Sequence, residues 1–259
     1  MSTYVIGDVH NCYDELIELL HKEINIQPDD EVYFVGDLFD RGNKAGDVFY
    51  WLKRAVNNPQ FHFTWGNHDY MMLQVLRRSG YHNITDCHRD DDWLYNGALN
   101  TIQSWEELDV TPDEMDTVFE HYDDLLEFEH KVEVNDKLFH IVHAGLPEEH
   151  SWFPIDDYIW SRSDFYFNKW PEFEDNEFVI FGHTPTKFVW HEVDKNIEHR
   201  KDFYEEIGFP LRWKIDEERD RHVLEFNHRI MIDTGCVYHG WLTAYRLEDG
   251  KVFQVKSKQ

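Results

Sequence analysis

The stretch Tyr4-Val5-Ile6-Gly7-Asp8-Val9-His10 decides the fold, because an apolar run typical of a buried strand ends in a glycine that is followed by Asp and His. Two similar blocks follow at intervals of about 30 residues, namely Gly36-Asp37-Leu38-Phe39-Asp40-Arg41-Gly42 and Gly66-Asn67-His68-Asp69. Each block comes directly after an apolar run, and the segments between the blocks have the spacing of amphipathic helices. Alternating strands and helices predict an α/β fold whose ligand-binding residues lie at the carboxyl ends of its strands.

The second half of the chain is richer in predicted strands, and polar residues again follow them. The apolar runs at 138–142, 178–181 and 229–232 end in His143-Ala144-Gly145, Gly182-His183-Thr184 and Asp233-Thr234-Gly235. Residues 241–247 and 252–255 predict a final hairpin across a turn that contains glycine. The sequence has no internal repeat and no Pro-, Gly- or Ser-rich linker, which predicts a single domain over residues 1–259.

The strand ends offer carboxylate, imidazole and amide ligands, which suit Mn²⁺, Fe or Zn²⁺ better than Ca²⁺. The size of this set predicts two ions about 3.5–4 Å apart that share one carboxylate. One ion would be held by Asp8, His10 and Asp37, and the other by Asp37, Asn67, His143 and His183.

The charge of the chain limits its partners. The sequence has 25 Lys and Arg against 52 Asp and Glu, a formal net charge of −27 at pH 7. Such a surface repels polyanions and anionic membranes, so we expect neither nucleic-acid binding nor membrane docking. Two divalent ions would reverse the field locally, which would allow a compact phosphate to approach.

Several features predict a cytoplasmic protein. The chain enters its first strand without the basic and apolar segments of a secretion signal, and no apolar run approaches the roughly 18 residues of a membrane span. Cys12, Cys87 and Cys236 form no C-x-x-C pair, which argues against a disulfide framework or a thiolate zinc site. The sequence leaves the oligomeric state open.

The order of these blocks resembles that of the calcineurin-like metallophosphoesterases. The ending Asp40-Arg41-Gly42 is similar to that of the phosphoprotein phosphatase branch, and Trp160-Ser161-Arg162 and Gly182-His183-Thr184-Pro185 resemble segments of the bacteriophage lambda and bacterial serine/threonine protein phosphatases. The resemblance runs from Tyr4 to about Leu247. It implies a mixed β-sandwich flanked by helices, with an active site that contains two metal ions.

The resemblance also implies roles for individual residues. It assigns metal ligation to the same six residues, with Mn²⁺ as the first choice and Fe, Zn²⁺ or Ni²⁺ as alternatives. His68 would be the general acid, oriented by Asp40, while Arg41 and Arg162 would bind the phosphoryl oxygens. The reaction would be a direct attack by metal-bound hydroxide on a phosphomonoester, without a covalent intermediate.

Three functions are compatible with these residues. The leading interpretation is a phosphatase that acts on phosphoserine or phosphothreonine in proteins. Asn11 and Asp69 depart from the residues usual in that branch, and the enzymatic alternative is a symmetrical diadenosine tetraphosphatase or a related nucleotide phosphohydrolase. The third interpretation is a metal-stabilised regulatory module, which would be expected to lack some of the six ligands that this chain retains.

Residues 187–228 form an insertion relative to the lambda-type enzymes. Phe188, Val189, Trp190 and Val193 are concentrated at its beginning, and this apolar group predicts a hairpin or a lid beside the active-site edge.

Overall fold

The computed structural model describes residues 1–78, 80, 92–168, 171–212 and 218–259. Its strands are short, as expected from the short apolar runs. In chain order they are β1 (Thr3–Ile6), β2 (Glu31–Phe34), β3 (Phe61–Thr64), β4 (Leu126–Glu127), β5 (His130–Val134), β6 (Lys137–Ile141), β7 (Glu177–Phe181), β8 (Leu224–Phe226), β9 (Arg229–Met231), β10 (Trp241–Arg246) and β11 (Lys251–Lys256).

The helices connect these strands. They are α1 (Tyr13–Glu18), which continues as a π-helical turn (Leu19–Glu23), α2 (Ala45–Ala55), α3 (Asn67–Arg77), α4 (Asp92–Tyr95), α5 (Ala98–Glu107), α6 (Pro112–Leu125), α7 (Pro154–Trp160), α8 (Ser163–Tyr166) and α9 (Thr186–Glu206). Two 3₁₀ turns cover Arg219–Arg221 and Cys236–Tyr238. Helix α6 begins with a capping box, in which the Thr111 hydroxyl accepts a hydrogen bond from the Glu114 N–H and the Glu114 carboxylate accepts one from the Thr111 N–H.

The strands form two mixed sheets that pack against each other. The first has the order β11-β10-β1-β2-β3-β4, with β1 to β4 parallel, and the second has the order β5-β6-β7-β9-β8, with β6, β7 and β9 parallel. One buried cluster lies between the sheets. It contains Val5 and Val35 from the first half of the chain and Ile141, Ile180 and Ile232 from the second half. The predicted α/β fold, a mixed β-sandwich flanked by helices, is therefore confirmed.

Helices cover the outer face of each sheet. Leu16 and Leu52, from α1 and α2, belong to the large core on the outer side of the first sheet. Val189 and Trp190 belong to a second core with Phe181 of β7 and Met231 of β9. The two layers of helices leave the carboxyl ends of the parallel strands at one edge of the sandwich, where the connecting loops meet.

The predicted hairpin at the beginning of the insertion is wrong, because these residues form the first turns of helix α9. Val189, Trp190 and Val193 are fully buried, and their spacing of three and four residues places them on one face of the helix. Their aromatic and β-branched character is typical of strands, but the helical spacing determines the structure. Phe188 points away from this core and is half exposed.

The structure also bears on the predictions about cysteines and membranes. Cys12 and Cys236 are free thiols, and both are buried. Cys87 lies outside the described residues. Within the described part of the chain, no helix is both long enough and apolar enough to cross a bilayer.

Candidate metal centre

The residues predicted as ligands come together at one edge of the sandwich. Loops after β1, β2 and β3 of the first sheet carry four of them, and loops after β6 and β7 of the second sheet carry the other two. All six are buried: Asp8, His10, Asp37, Asn67, His143 and His183. The prediction relied on parallel strands, and parallel strands of both sheets end at this edge.

Asp37 lies at the centre of this group. Its Oδ2 is 3.5 Å from Nε2 of His10 and 3.5 Å from Nε2 of His143, while its Oδ1 accepts a hydrogen bond of 2.9 Å from the His68 N–H. Burial opposes ionisation of Asp37, but His143, His68, His10 and Arg41 together hold its pKa well below the usual range. An ionised carboxylate between two imidazoles has the placement required of a bridging ligand.

Backbone carbonyls engage only the Nδ1 atom of His10 and of His143. The Nδ1–H of His143 donates to the Val35 carbonyl at 2.8 Å, and the Nδ1–H of His10 donates to the Phe39 carbonyl at 2.8 Å. In this tautomer each Nε2 carries a lone pair on the side of Asp37. Burial lowers the pKa of both rings, which favours the neutral form that can bind a cation.

Asn67 and His183 complete the arrangement around His143. The Asn67 Oδ1 is 3.0 Å from His143 Nε2 and 3.0 Å from His183 Nδ1, and the two histidine nitrogens are 3.1 Å apart. Nε2 of His183 is buried without a hydrogen-bond partner in the described residues. Three potential ligand atoms thus converge on one point, which is the donor set that a divalent cation needs.

Asp8 lies beside a carboxyl group that the sequence analysis did not assign to the site. Both Asp8 oxygens accept the His183 N–H at 3.1 Å, and burial together with Asp233 and Asp37 raises the pKa of Asp8 well above its usual range. Burial also raises the pKa of Asp233 to about 6. Asp233 follows a predicted strand that ends at the same edge, and that position was the signal available in the sequence.

At this edge of the sandwich, two sets of described side chains are close enough to hold ions. The ligand atoms of His10, Asp37 and His68 lie within 4.8 Å of one another, and so do those of Asp37, His143 and His183. Asp37 belongs to both sets. The first set contains His68, and it does not contain Asp8, which the sequence grouped with His10 and Asp37.

His68 is held by a network of buried hydrogen bonds. Its Nδ1 is 2.8 Å from Oδ2 of Asp40, which also accepts the Trp93 indole N–H at 2.9 Å. The Thr101 hydroxyl donates to Oδ1 of Asp40 at 2.8 Å. The other ring nitrogen of His68, Nε2, is buried without a partner in the described residues. Asp40 therefore orients the ring, and Nε2 is left for chemistry.

The two arginines predicted to bind phosphate are near the ligands. The Arg41 Nη1 donates to His10 Nε2 at 2.5 Å, and the Arg162 Nη1 donates to the Thr184 hydroxyl at 3.0 Å. Arg162 also contributes to the low pKa of His143 and His183, which places its positive charge within electrostatic reach of both rings.

The backbone of the site is strained at several residues. His10, Asp37, Asp40, Arg41 and His183 all have positive φ, at 44°, 53°, 74°, 69° and 66°, respectively. Such angles are uncommon for residues other than glycine, and they cluster at functional sites.

Glycines allow the close contacts around these strained residues. A Cβ atom on Gly182 would lie 1.9 Å from Oδ1 of Asp8, and one on Gly66 would lie 2.2 Å from Oδ1 of Asp37. The close approach of backbone to ligand explains why glycine stands at these two strand ends.

Comparison with known proteins identifies the family. The family model described as calcineurin-like phosphoesterase matches residues 1–187, which is more than half of the chain. The chain belongs to the calcineurin-like phosphoesterase family. Phosphoester hydrolysis with two metal ions is characteristic of this family, and the two sets of ligand atoms that share Asp37 fit such a centre.

Curated relatives of this phosphoesterase are named as symmetrical bis(5'-nucleosyl)-tetraphosphatases. The protein of Marinomonas sp. (strain MWYL1) is 29% identical over 287 residues, covering 98% of this chain and 96% of that protein. The protein of Escherichia coli (strain K12 / DH10B) is 44% identical over 76 residues, covering 29% of this chain and 26% of that protein.

Solved structures with low identity show the same fold. One that is provisionally described as a diadenosine tetraphosphatase has a TM-score of 0.58 and 17% identity, covering 99% of this phosphoesterase and 93% of that chain. A cold-active protein-tyrosine phosphatase of a psychrophilic Shewanella sp. has a TM-score of 0.51 and 14% identity, covering 98% and 77%, respectively.

Proposed function

We propose that this phosphoesterase hydrolyses nucleoside polyphosphates, with symmetrical dinucleoside tetraphosphates as the leading substrates. The observation that carries the proposal is the match to the Marinomonas protein, which extends over nearly the whole length of both chains. Cleavage of such a substrate by water at its central anhydride would give two nucleoside diphosphates. This order of preference reverses that of the sequence analysis, where phosphoproteins were the leading substrates.

The ligand set supports a centre of two divalent ions, for which we propose Mn²⁺. Asp37, Asn67, His143 and His183 would hold one ion, while Asp8, His10 and Asp37 would hold the other. When bound, such ions lower the pKa of a coordinated water and neutralise the charge of a phosphate. They would also relieve the repulsion among the buried carboxyl groups of Asp8, Asp37 and Asp233.

His68 would supply the proton that the leaving oxygen needs. Its Nε2 is buried and has no hydrogen-bond partner in the part of the chain that the structure describes, while Asp40 accepts the hydrogen bond from the opposite nitrogen and fixes the ring. This arrangement allows Nε2–H to donate to the leaving group, and Asp40 would stabilise the protonated ring before the transfer. Trp93 and Thr101 hold Asp40 in turn, so the proton donor on α3 is supported by the loop after β2 and by helices α4 and α5.

Arg41 and Arg162 would bind the phosphoryl oxygens. The Arg41 guanidinium contacts His10, and the Arg162 guanidinium contacts Thr184, the residue after His183. Each guanidinium has further N–H groups beyond the one named. A planar guanidinium can donate two parallel hydrogen bonds to a phosphate, and two of them would fix its orientation for in-line attack.

A direct comparison of substrates tests the proposal. The Mn²⁺-loaded enzyme should be offered diadenosine tetraphosphate, a phosphoserine peptide and a phosphothreonine peptide, and kcat/KM should be measured for each. We expect the highest kcat/KM for diadenosine tetraphosphate, with ADP as the only nucleotide product. A higher value for either peptide would restore the phosphoprotein phosphatase interpretation. Products other than two ADP would contradict symmetrical cleavage.

A further inference from the structure

A small aromatic pocket lies between α3, α4 and the end of α7. Its volume is about 250 Å³, and its lining includes Tyr70, Met71, Gln74, Trp93 and Trp160. Drug-sized ligands occupy roughly 300–1,000 Å³, so this pocket is suited to a single flat ring system and too small for a folded peptide segment.

The pocket adjoins the candidate metal centre through two of its walls. The Trp160 ring meets the His183 ring edge to face, with centroids 6.1 Å apart and planes at 89°. Trp93 forms another wall, and its indole N–H donates to Asp40, the partner of His68. The pocket is therefore next to the proton donor, which is the side of the site where the leaving group departs.

The side chains of the pocket offer both stacking and hydrogen bonding. Trp160 is 38% exposed although it is a large aromatic residue, and Tyr70 is half buried and held by an edge contact with Trp65 at 5.8 Å. Gln74 is exposed on the same helix as Tyr70 and carries an amide that can both donate and accept. Exposed aromatic rings beside an amide form a surface that binds the face and the edge of a nucleobase.

We propose that this pocket binds the base of the leaving nucleoside diphosphate by stacking against Trp160 and Tyr70. The inference rests on the proposed function, because it assigns a place to the nucleoside of the substrate named there. It explains how an acidic protein can select a nucleotide, since the base is bound by aromatic contacts that do not depend on the charge of the phosphate chain.

The test compares a leaving group that has a base with one that lacks it. Inhibition constants of ADP and of pyrophosphate should be measured against hydrolysis of an aryl phosphate by the full-length Mn²⁺-loaded enzyme. In the wild type, ADP should bind more tightly than pyrophosphate. The ratio of the inhibition constant of pyrophosphate to that of ADP measures the contribution of the base. Trp160→Ala should reduce this ratio about tenfold, as expected for the loss of one base–aromatic stack. Trp160→Phe should retain most of the ratio.

The chain offers a matched control for this substitution. Trp152 is 91% exposed in the loop before α7 and does not line the pocket, so Trp152→Ala should leave the ratio unchanged. Tyr70→Ala provides a second test if Trp160→Ala does not fold, and it should also reduce the ratio. An unchanged ratio in both pocket variants would overturn the inference.

The same measurements separate this inference from the proposed function. A wild-type enzyme that hydrolyses diadenosine tetraphosphate, with pocket variants that keep the ratio, would refute the base pocket alone. A wild-type enzyme that does not hydrolyse diadenosine tetraphosphate, with a ratio that falls in Trp160→Ala, would refute the proposed substrate and support the pocket.

Discussion

The position of His68 is compatible with two roles, that of a metal ligand and that of a general acid. Its ring nitrogens are close enough to His10 and Asp37 to belong to a metal-binding set, yet its Nδ1 is already engaged by Asp40. A general acid must keep Nε2 free for a proton, whereas a ligand would use it to hold an ion. The two roles therefore differ in the number of ions that the protein binds when the ring is removed.

Replacing His68 with Asn should separate these roles. We expect His68→Asn to lower kcat by about 10²–10⁴ while the protein still binds two ions, because a general acid contributes to the rate and not to metal affinity. Metal content after dialysis, measured by elemental analysis beside the kinetics, checks both parts. Binding of one ion instead of two would show that His68 is a ligand.

At the scale of residues, the sequence could predict which side chains meet but not how they are supported. Asp37, His143 and His183 could be grouped because parallel strands place their carboxyl ends at one edge. The support of Asp40 by Trp93 and Thr101 joins residues 53 and 61 positions apart in the chain. Such contacts depend on how helices pack over a sheet, and no local pattern in the sequence specifies them.

At the scale of elements, the second sheet contains an ionic contact that spans several strands. His140 of β6 is buried, with Nδ1 2.5 Å from Glu129 and Nε2 2.7 Å from Glu177 of β7. Hydrogen bonds from His140 to the carboxylates of Glu129 and Glu177 outweigh burial and raise the pKa of His140 above 6.5. Lys131 and Tyr158 also face Glu129. The charged form of His140 therefore stabilises the junction of β5, β6 and β7.

This contact predicts a pH-dependent stability. Because the folded-state pKa of His140 is raised, its contribution is complete below the unfolded-state pKa of about 6.5 and is lost as the pH rises through the folded-state pKa. His140→Gln should cost about 1–2 kcal/mol more at pH about 6 than at pH about 9 in urea unfolding. His121→Gln, at an exposed position on α6, serves as the control. A cost independent of pH would contradict the ionic role.

The first residues of the insertion show why secondary structure was harder to predict than burial. The apolar residues at its beginning are buried as their character suggests, but they lie on helix α9 and not on a hairpin. Val189, Trp190 and Val193 favour strands by residue type, and their spacing fits a helix equally well. Helix α9 packs against the apolar outer face of the second sheet and buries it.

At the scale of the whole molecule, the net charge of −27 acts against the compact state. Raising NaCl from about 0.01 M to about 1 M shortens the screening length from roughly 30 Å to 3 Å, so the metal-free protein should unfold at a temperature several degrees higher. The effect should nearly vanish close to the isoelectric point of about 4.8, where the repulsion is small. An equal salt effect at both pH values would show that screening is not its cause.

The positive φ angles of His10, Asp37, Asp40, Arg41 and His183 have a consequence for the evolution of the chain. Each such residue costs of order 1–3 kcal/mol that the rest of the fold must offset. Glycine would relieve that cost at every one of these positions, but it would also remove the side chain. A population selected only for thermal resistance would therefore accumulate glycines at these positions, and the side chains of the candidate centre would be lost together with the strain.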